Sequence, residues 1–336
     1  MMGAVGLRTH IWNNNLKSIL LLAGFPFLLM LLAFAASLFM VSMDGGSGSY
    51  KSGYGGGGSA LDAALANWPV TALWSMIIAG IWFVIAWFGH QAMIDMATGA
   101  HSVTRQDESE LYNLLENLCI SRGLTMPKLK IIETGVMNAY ASGLTTKQFT
   151  ITVTRGLMET LNKEELEAVL AHELSHILNR DVRLLVISVI FVGIFSFVAQ
   201  IVFRSLFWSG LGGRSSGRRG NAALLMMVAI AIVAIAYFLA IAIRFTLSRK
   251  REYMADAGSV ELTRNPDAMI SALEKISGHA EMDKAPDGVR EMMIENPKAG
   301  FAGVFATHPP IEKRIEALIE FAGGQRRGRS TSVPAV

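Results

Sequence analysis

The sequence predicts a mainly helical integral-membrane protein of the α+β class, whose polar part is one domain carrying a small β-sheet. Three observations lead there. Of the 336 residues, 51% are apolar and only 17% charged, where soluble domains carry roughly 25% charged residues. Four apolar stretches are long enough to cross a bilayer, which takes about 20 residues. The polar remainder holds a long uninterrupted helical pattern beside short β-branched runs.

The four stretches are Ser18–Met43, Val70–Phe88, Leu184–Phe203 and Ala222–Ile243. The first is too long for a signal-peptide core and no small-residue cleavage site follows it, so it reads as a retained span. Pro26 is tolerated inside it, because neighbouring helices can satisfy the freed carbonyl. Residues 44–60 (DGGSGSYKSGYGGGGSA) read as a flexible Gly/Ser linker, residues 204–221 as a second break rich in Gly, Ser and Arg, and the tail from Gly323 as disordered. The chain thus divides into an N-terminal membrane hairpin (1–89), a polar domain made of 90–181 plus 246–322, an apolar helical hairpin inserted in it (182–245), and a tail (323–336).

Arg8 and Lys17 precede the first span, while the loop 44–69 carries one Lys against two Asp. The positive-inside rule then puts the N-terminus and the polar domain in the cytoplasm. The second hairpin conflicts with that rule, since Arg204, Arg214, Arg218 and Arg219 would lie outside if spans three and four cross fully. Either it is translocated regardless, or it packs on the polar domain without crossing. A net charge of +3 is too small to imply nucleic acid. Cys119 is the single cysteine. It excludes an intramolecular disulfide and a Cys-based metal cluster, and reads as a core residue of a helix over 107–121.

Within the polar domain, Leu129–Glu133 and Phe149–Val153 read as strands, and Asn138–Leu144 as a third. Asn162, with Glu165 in the capping-box position, starts a helix from Lys163 to about Asp181. Another helix begins near Leu247. Asn265-Pro266-Asp267 reads as an N-cap followed by Pro at the first helical position. His10, His90, His101 and His279 have no partner at a useful spacing and are expected to be solvated or interfacial.

The helix from Lys163 contains His172-Glu173-Leu174-Ser175-His176. Residues four apart share a helix face, so both imidazoles can reach one ion. Glu173, one position round, can address a water activated by that ion and accept its proton. A catalytic zinc takes three protein ligands and one open position. The helix near Leu247 offers Glu252 as the third and, four residues on, Asp256 to accept a hydrogen bond from a ligand histidine. Asp181 is either a second such orienter or a polar helix end. His308, ahead of Pro309 and Pro310, either precedes a turn or points into the cleft to polarise the scissile carbonyl.

These elements together resemble HtpX-type membrane metalloproteases, bacterial relatives of the CAAX prenyl proteases. The resemblance rests on HExxH at 172–176, on Ser248-Arg249 with Glu252 and Ala255-Asp256, on His308-Pro309-Pro310 with Arg314, and on Asn138-Ala139 followed by the aromatic Tyr140. It implies a gluzincin-like domain at the cytoplasmic face of the plasma (inner) membrane, and degradation of misfolded or damaged membrane proteins under envelope stress. By carry-over, His172, His176 and Glu252 bind one Zn²⁺, Glu173 is the base, and Arg249 stands with Asp256 and Asp181 behind the ligands. Asn138, Ala139 and Tyr140 belong to a strand that pairs with substrate backbone. The long Gly-rich loop and the basic loop 204–221 depart from the family pattern. An intramembrane protease fits less well because the motif precedes its span, with Asn179, Arg180 and Asp181 between. A prenyl-protein peptidase would share the same ligands, and a non-catalytic membrane scaffold would use the apolar hairpin without a metal.

Overall fold

A computed structural model describes residues 16, 24, 26–41, 60–187, 204, 227–235, 238, 250–277, 279, 292–294 and 308–326. The expected spans 184–203 and 222–243, the linker 44–60 and the loop 204–221 lie mostly or wholly outside them, as does Arg249. The chain folds as two compact units, one of 16–88 and 187–246, the other of 1–15, 89–186 and 247–336.

In the first unit, helix α1 (Pro26–Val41) and the first part of helix α2 (Ala60–Thr98) run antiparallel. Ser37 Oγ donates to the Ala64 carbonyl at 2.5 Å, Thr71 Oγ1 to Ala33 at 3.2 Å, and Trp68 Nε1 to Met30 at 3.1 Å. The Phe34 and Trp68 rings meet edge to face at 5.8 Å. Val70, Leu73, Trp74, Ile78, Ile81, Val84, Ile85 and Phe88 are all exposed on α2. A helix apolar all round with its large side chains uncovered has the character of a membrane span. It is the one helix among the described residues long and apolar enough to cross. It starts before Val70 and runs on past Phe88, because no helix breaker but Pro69 interrupts it.

The second unit is built on a four-stranded mixed sheet, β1 (His101–Ser102), β2 (Lys128–Ile132), β3 (Ala139–Ser142) and β4 (Thr150–Thr154), in the order β1-β2-β4-β3. β2 and β4 are parallel, and the other two pairs are antiparallel. β3 is therefore an edge strand. The sheet is tied to the end of α2 by Ser142 Oγ donating to Gln91 Oε1 at 2.7 Å and by the Lys130–Asp95 ion pair. His90 lies on that end of α2 and is 3% exposed, a correction to its expected solvated or interfacial placement. The helix continues past the apolar stretch and carries His90 into the unit.

Helix α3 (Ser109–Ser121) buries Leu111, Leu114, Leu115, Leu118 and Cys119 on one face. A short helix α4 (Arg155–Thr160) precedes α5 (Lys163–Leu178). The α5 start is a full capping box, with Glu165 N–H donating to Asn162 Oδ1 and Asn162 N–H to Glu165 Oε2, both at 2.9 Å. Glu165 is 1% exposed and, besides its capping role, receives Lys275 and Ser271, each at 2.6 Å. From Ala168 to Ile177 every residue of α5 is buried, so it is the central helix.

Helix α6 (Lys250–Thr263) crosses α5 closely. Ser259 Oγ donates to the Ala168 carbonyl at 2.6 Å. A Cβ on Gly258 would stand 2.8 Å from the Ser175 Cβ, so only glycine lets the two backbones approach this far. Helix α7 (Pro266–Ile276) is capped by the Asn265 side chain, which accepts from Ala268 N–H at 3.1 Å. Helix α8 (Ile311–Ala322) starts after Pro310 and ends at Gly323, whose φ of 70° is left-handed. That turn folds the chain back: Gln325 N–H donates to Asp267 at 2.7 Å, and Arg326 pairs with Glu312 and Glu274. Residues 323–326, expected as disordered tail, are thus held on the domain.

Candidate metal centre

Helical spacing places His172 and His176 one turn apart on the face of α5 that meets α6. Their rings lie edge to face at 4.7 Å, with Nε2 of one 3.2 Å from Nε2 of the other. Glu252, in the first turn of α6, completes the triangle, with Oε2 at 3.7 Å from His172 Nε2 and Oε1 at 3.8 Å from His176 Nε2. All three side chains are buried.

The opposite ring nitrogens face carboxylates. His172 Nδ1 is 3.0 Å from Asp256 Oδ1, and His176 Nδ1 is 3.2 Å from Asp181 Oδ2. Each acid accepts an Nδ1–H, which leaves the Nε2 lone pairs as the free acceptors. Two such nitrogens facing each other need a cation between them, a proton in the metal-free protein or a metal ion when one is bound. Tetrahedral zinc with bonds of about 2.0–2.2 Å separates its ligand atoms by about 3.3–3.5 Å. The separations here match that within a few tenths of an ångström, so the donor set fits a single Zn²⁺.

Arg314, from the first turn of α8, is 0% exposed and clamps Asp256 with two bonds, Nη2 to Oδ1 at 2.6 Å and Nε to Oδ2 at 2.9 Å. Its Nη1 donates to the Ile294 carbonyl at 2.9 Å. The family resemblance includes Arg314 in the His308-Pro309-Pro310 element but gives no role to it. Arg251, also buried, approaches Glu252 Oε1 with its Nε at 3.5 Å. His308 Nδ1 lies 3.2 Å from Glu252 Oε2, so this histidine faces the cluster instead of merely preceding a turn.

Glu173 is 1% exposed, and its Oε2 has no hydrogen-bond partner among the described residues. Burial pushes its carboxyl up, against the pull of His172 and His176. Burial also acts on Glu252, yet His308 and His176 outweigh it and hold that carboxyl well below the usual range. Two glutamates in one pocket are thus driven apart, one a stronger base and one a fixed anion. Burial alone would lower His172, but Asp256 and then Glu252 carry the metal-free imidazole up to about 9.

The substrate-strand candidates sit together at the sheet edge. Asn138 and Ala139 are buried, with Asn138 Oδ1 and the Ala139 carbonyl both accepting from Ile294 N–H, at 3.1 Å and 3.0 Å. Tyr140 stands opposite Met293 in an isolated antiparallel bridge, and its hydroxyl lies 3.2 Å from Thr98 Oγ1.

Residues 105–322 match Peptidase family M48. The chain belongs to this family. A protease HtpX homolog of Bacteroides fragilis (strain YCH46) is 43% identical over 329 residues, covering 94% of this chain and 99% of that one. A protease HtpX homolog of Listeria monocytogenes serotype 4a is 36% identical over 274 residues, covering 78% and 90%. One of Ligilactobacillus salivarius is 34% identical over 317 residues, covering 93% and 99%. Among solved structures, S. mikatae Ste24p is similar with a TM-score of 0.47 and 17% identity, covering 92% of this chain and 66% of that one. As a member of family M48 with a membrane-spanning helix, the chain is a membrane metalloprotease.

Proposed function

We propose that the protein is a zinc-dependent endopeptidase of the plasma (inner) membrane that hydrolyses peptide bonds in misfolded or damaged membrane proteins. One Zn²⁺ per chain would be held by His172, His176 and Glu252, and when bound it supplies a Lewis acid that polarises the scissile carbonyl and acidifies water. The observation that carries this function is the convergence of two Nε2 lone pairs and a buried carboxylate at tetrahedral spacing, with the unbonded oxygen of Glu173 beside them.

Glu173 accepts the proton of the attacking water at its carboxylate and delivers it to the departing amine. Its raised affinity for protons suits both halves of that transfer. Asp256 and Asp181 fix the imidazole tautomers, and Arg314 fixes Asp256. His308, beside Glu252, is placed to donate to the oxygen on which charge develops. In this reading α2 is one span of a multi-pass protein, the catalytic unit faces the cytoplasm as the basic residues ahead of the first span suggest, and substrates come from the bilayer.

The deciding experiment is Glu173→Gln in the detergent-purified, zinc-loaded chain. Cleavage of a denatured membrane protein should fall by at least about 10²-fold, as for loss of a general base, while zinc content stays at one per chain. Wild-type cleavage in this variant refutes the role of Glu173. A Glu252→Ala protein that keeps stoichiometric, tightly bound zinc refutes the third ligand.

A further inference from the structure

Resting on that proposed function, we propose that residues 292–294 occupy the substrate-strand site as an internal competitor, so that a substrate must displace them and present a branched aliphatic residue where Ile294 now sits.

Among the described residues, β3 has no neighbouring strand of the sheet on its outer side. An edge strand offers its backbone to any extended chain that reaches it. Here the chain that reaches it is its own. Met293 pairs with Tyr140 in one antiparallel bridge. Both backbone polar groups of Ile294 are captured: its N–H by the Ala139 carbonyl and Asn138 Oδ1, and its carbonyl by Arg314 Nη1. Met292, Met293 and Ile294 are 6%, 1% and 2% exposed. Nothing in these bonds is specific to residue 294 except the enclosed side chain, because every extended peptide carries the same N–H and C=O.

The site is also at the metal centre. The guanidinium that reads the Ile294 carbonyl holds Asp256 with its other nitrogens, and its Nη2 stands 3.4 Å from His172 Nε2. A chain bound here runs past the ligand histidines, as a peptide must to be cut. Two chains cannot share Ala139 and Asn138 Oδ1, so occupancy by Ile294 and by substrate is mutually exclusive. Among the described residues the hold is a single bridge, less pairing than a stable strand needs, and so open to exchange.

The test uses the full zinc-loaded chain in detergent and measures binding apart from cleavage. In a Glu173→Gln background, the Kd of a fluorescent extended peptide with a central Ile is read by anisotropy. Ile294→Pro removes the shared N–H and should tighten binding about tenfold, since each 1.4 kcal/mol of lost competition is one decade. A peptide with Gly in place of the central Ile should bind about tenfold more weakly in either background. Unchanged peptide affinity in Ile294→Pro overturns the proposal.

A second protein, Tyr140→Cys/Met293→Cys with Glu173 intact, settles the matter if the proline variant fails to fold. The two positions face each other directly, and the native Cys119 is buried with its thiol pushed up to about 11, out of reach of exchange. The oxidised form should cleave at least about tenfold more slowly than the same protein reduced. Equal rates, or failure of the pair to cross-link, overturn the proposal. If zinc-loaded wild type cleaves nothing while peptide affinity still responds to Ile294, the hydrolase function falls and the competitor stands.

Discussion

Asp256 joins two jobs in one buried carboxylate, and Asp256→Ala separates them. It is 2% exposed, 3.0 Å from His172 Nδ1 and bonded to Arg314 at 2.6 Å and 2.9 Å. Its removal strands the fully buried Arg314 cation, and breaking a buried pair from one side costs about 3–5 kcal/mol. Removing the acceptor behind a ligand histidine costs about 10–100-fold in metal affinity, or about 1.4–2.8 kcal/mol. Urea unfolding in metal-free buffer reads the first effect and chelator competition for zinc reads the second. Adding Arg314→Met removes the stranded charge, so the double variant should recover most of the stability and none of the zinc affinity. Two results refute the reasoning: wild-type zinc affinity in the single variant, or a double variant as unstable as the single one.

Zinc uptake should depend on pH in a stated direction. The metal-free His172 binds its proton up to about 9 against an ordinary value of 6.5, so this group stabilises the apo protein fully below about 6.5. That stability fades as pH rises through about 9. Zinc must expel the proton, so its apparent affinity should rise about tenfold from pH 7 to pH 8, by competition with a chelator of known pH behaviour. A flat profile means that no proton leaves on binding. Gly258→Ala places a Cβ 2.8 Å from the Ser175 Cβ and should destabilise the domain by about 1–3 kcal/mol as α5 and α6 are forced apart. Zinc affinity should fall with it, because Glu252 rides on α6 and the histidines on α5. Thermal melts and metal titration of that variant check both, and unchanged values of both refute the close crossing.

Much of the site is readable from local pattern. HExxH fixes two imidazoles on one helix face because the α-helical repeat is independent of what surrounds it. The Asn162–Glu165 box and the Asn265-Pro266 start are equally local, and both stand at the boundaries their chemistry dictates. The second acid, Asp256, follows from the i,i+4 offset from Glu252 once that residue is placed. Three things escape a linear reading. Glu165 reads only as the capping-box partner of Asn162, and the approach of α7 makes it a buried acceptor for Lys275 and Ser271 as well. His90 reads as solvated or interfacial, and the length of α2 buries it. Arg314 is 58 residues from Asp256, and no spacing rule connects them.

The sequence by itself determined the membrane helix, the short β-branched runs, the two histidines and the carboxylates on offer, since each depends on periodicity or composition within a few residues. The tertiary structure decided which carboxylate faces which ring nitrogen, which arginine is buried behind them, and what lies along the edge of β3. Apart from Asp181 on His176, five residues away, those are contacts between segments tens to more than a hundred residues apart. Their geometry is set by close packing, with Gly258 against Ser175 and Ile294 against Asn138 and Ala139, and close packing is a property of the assembled chain.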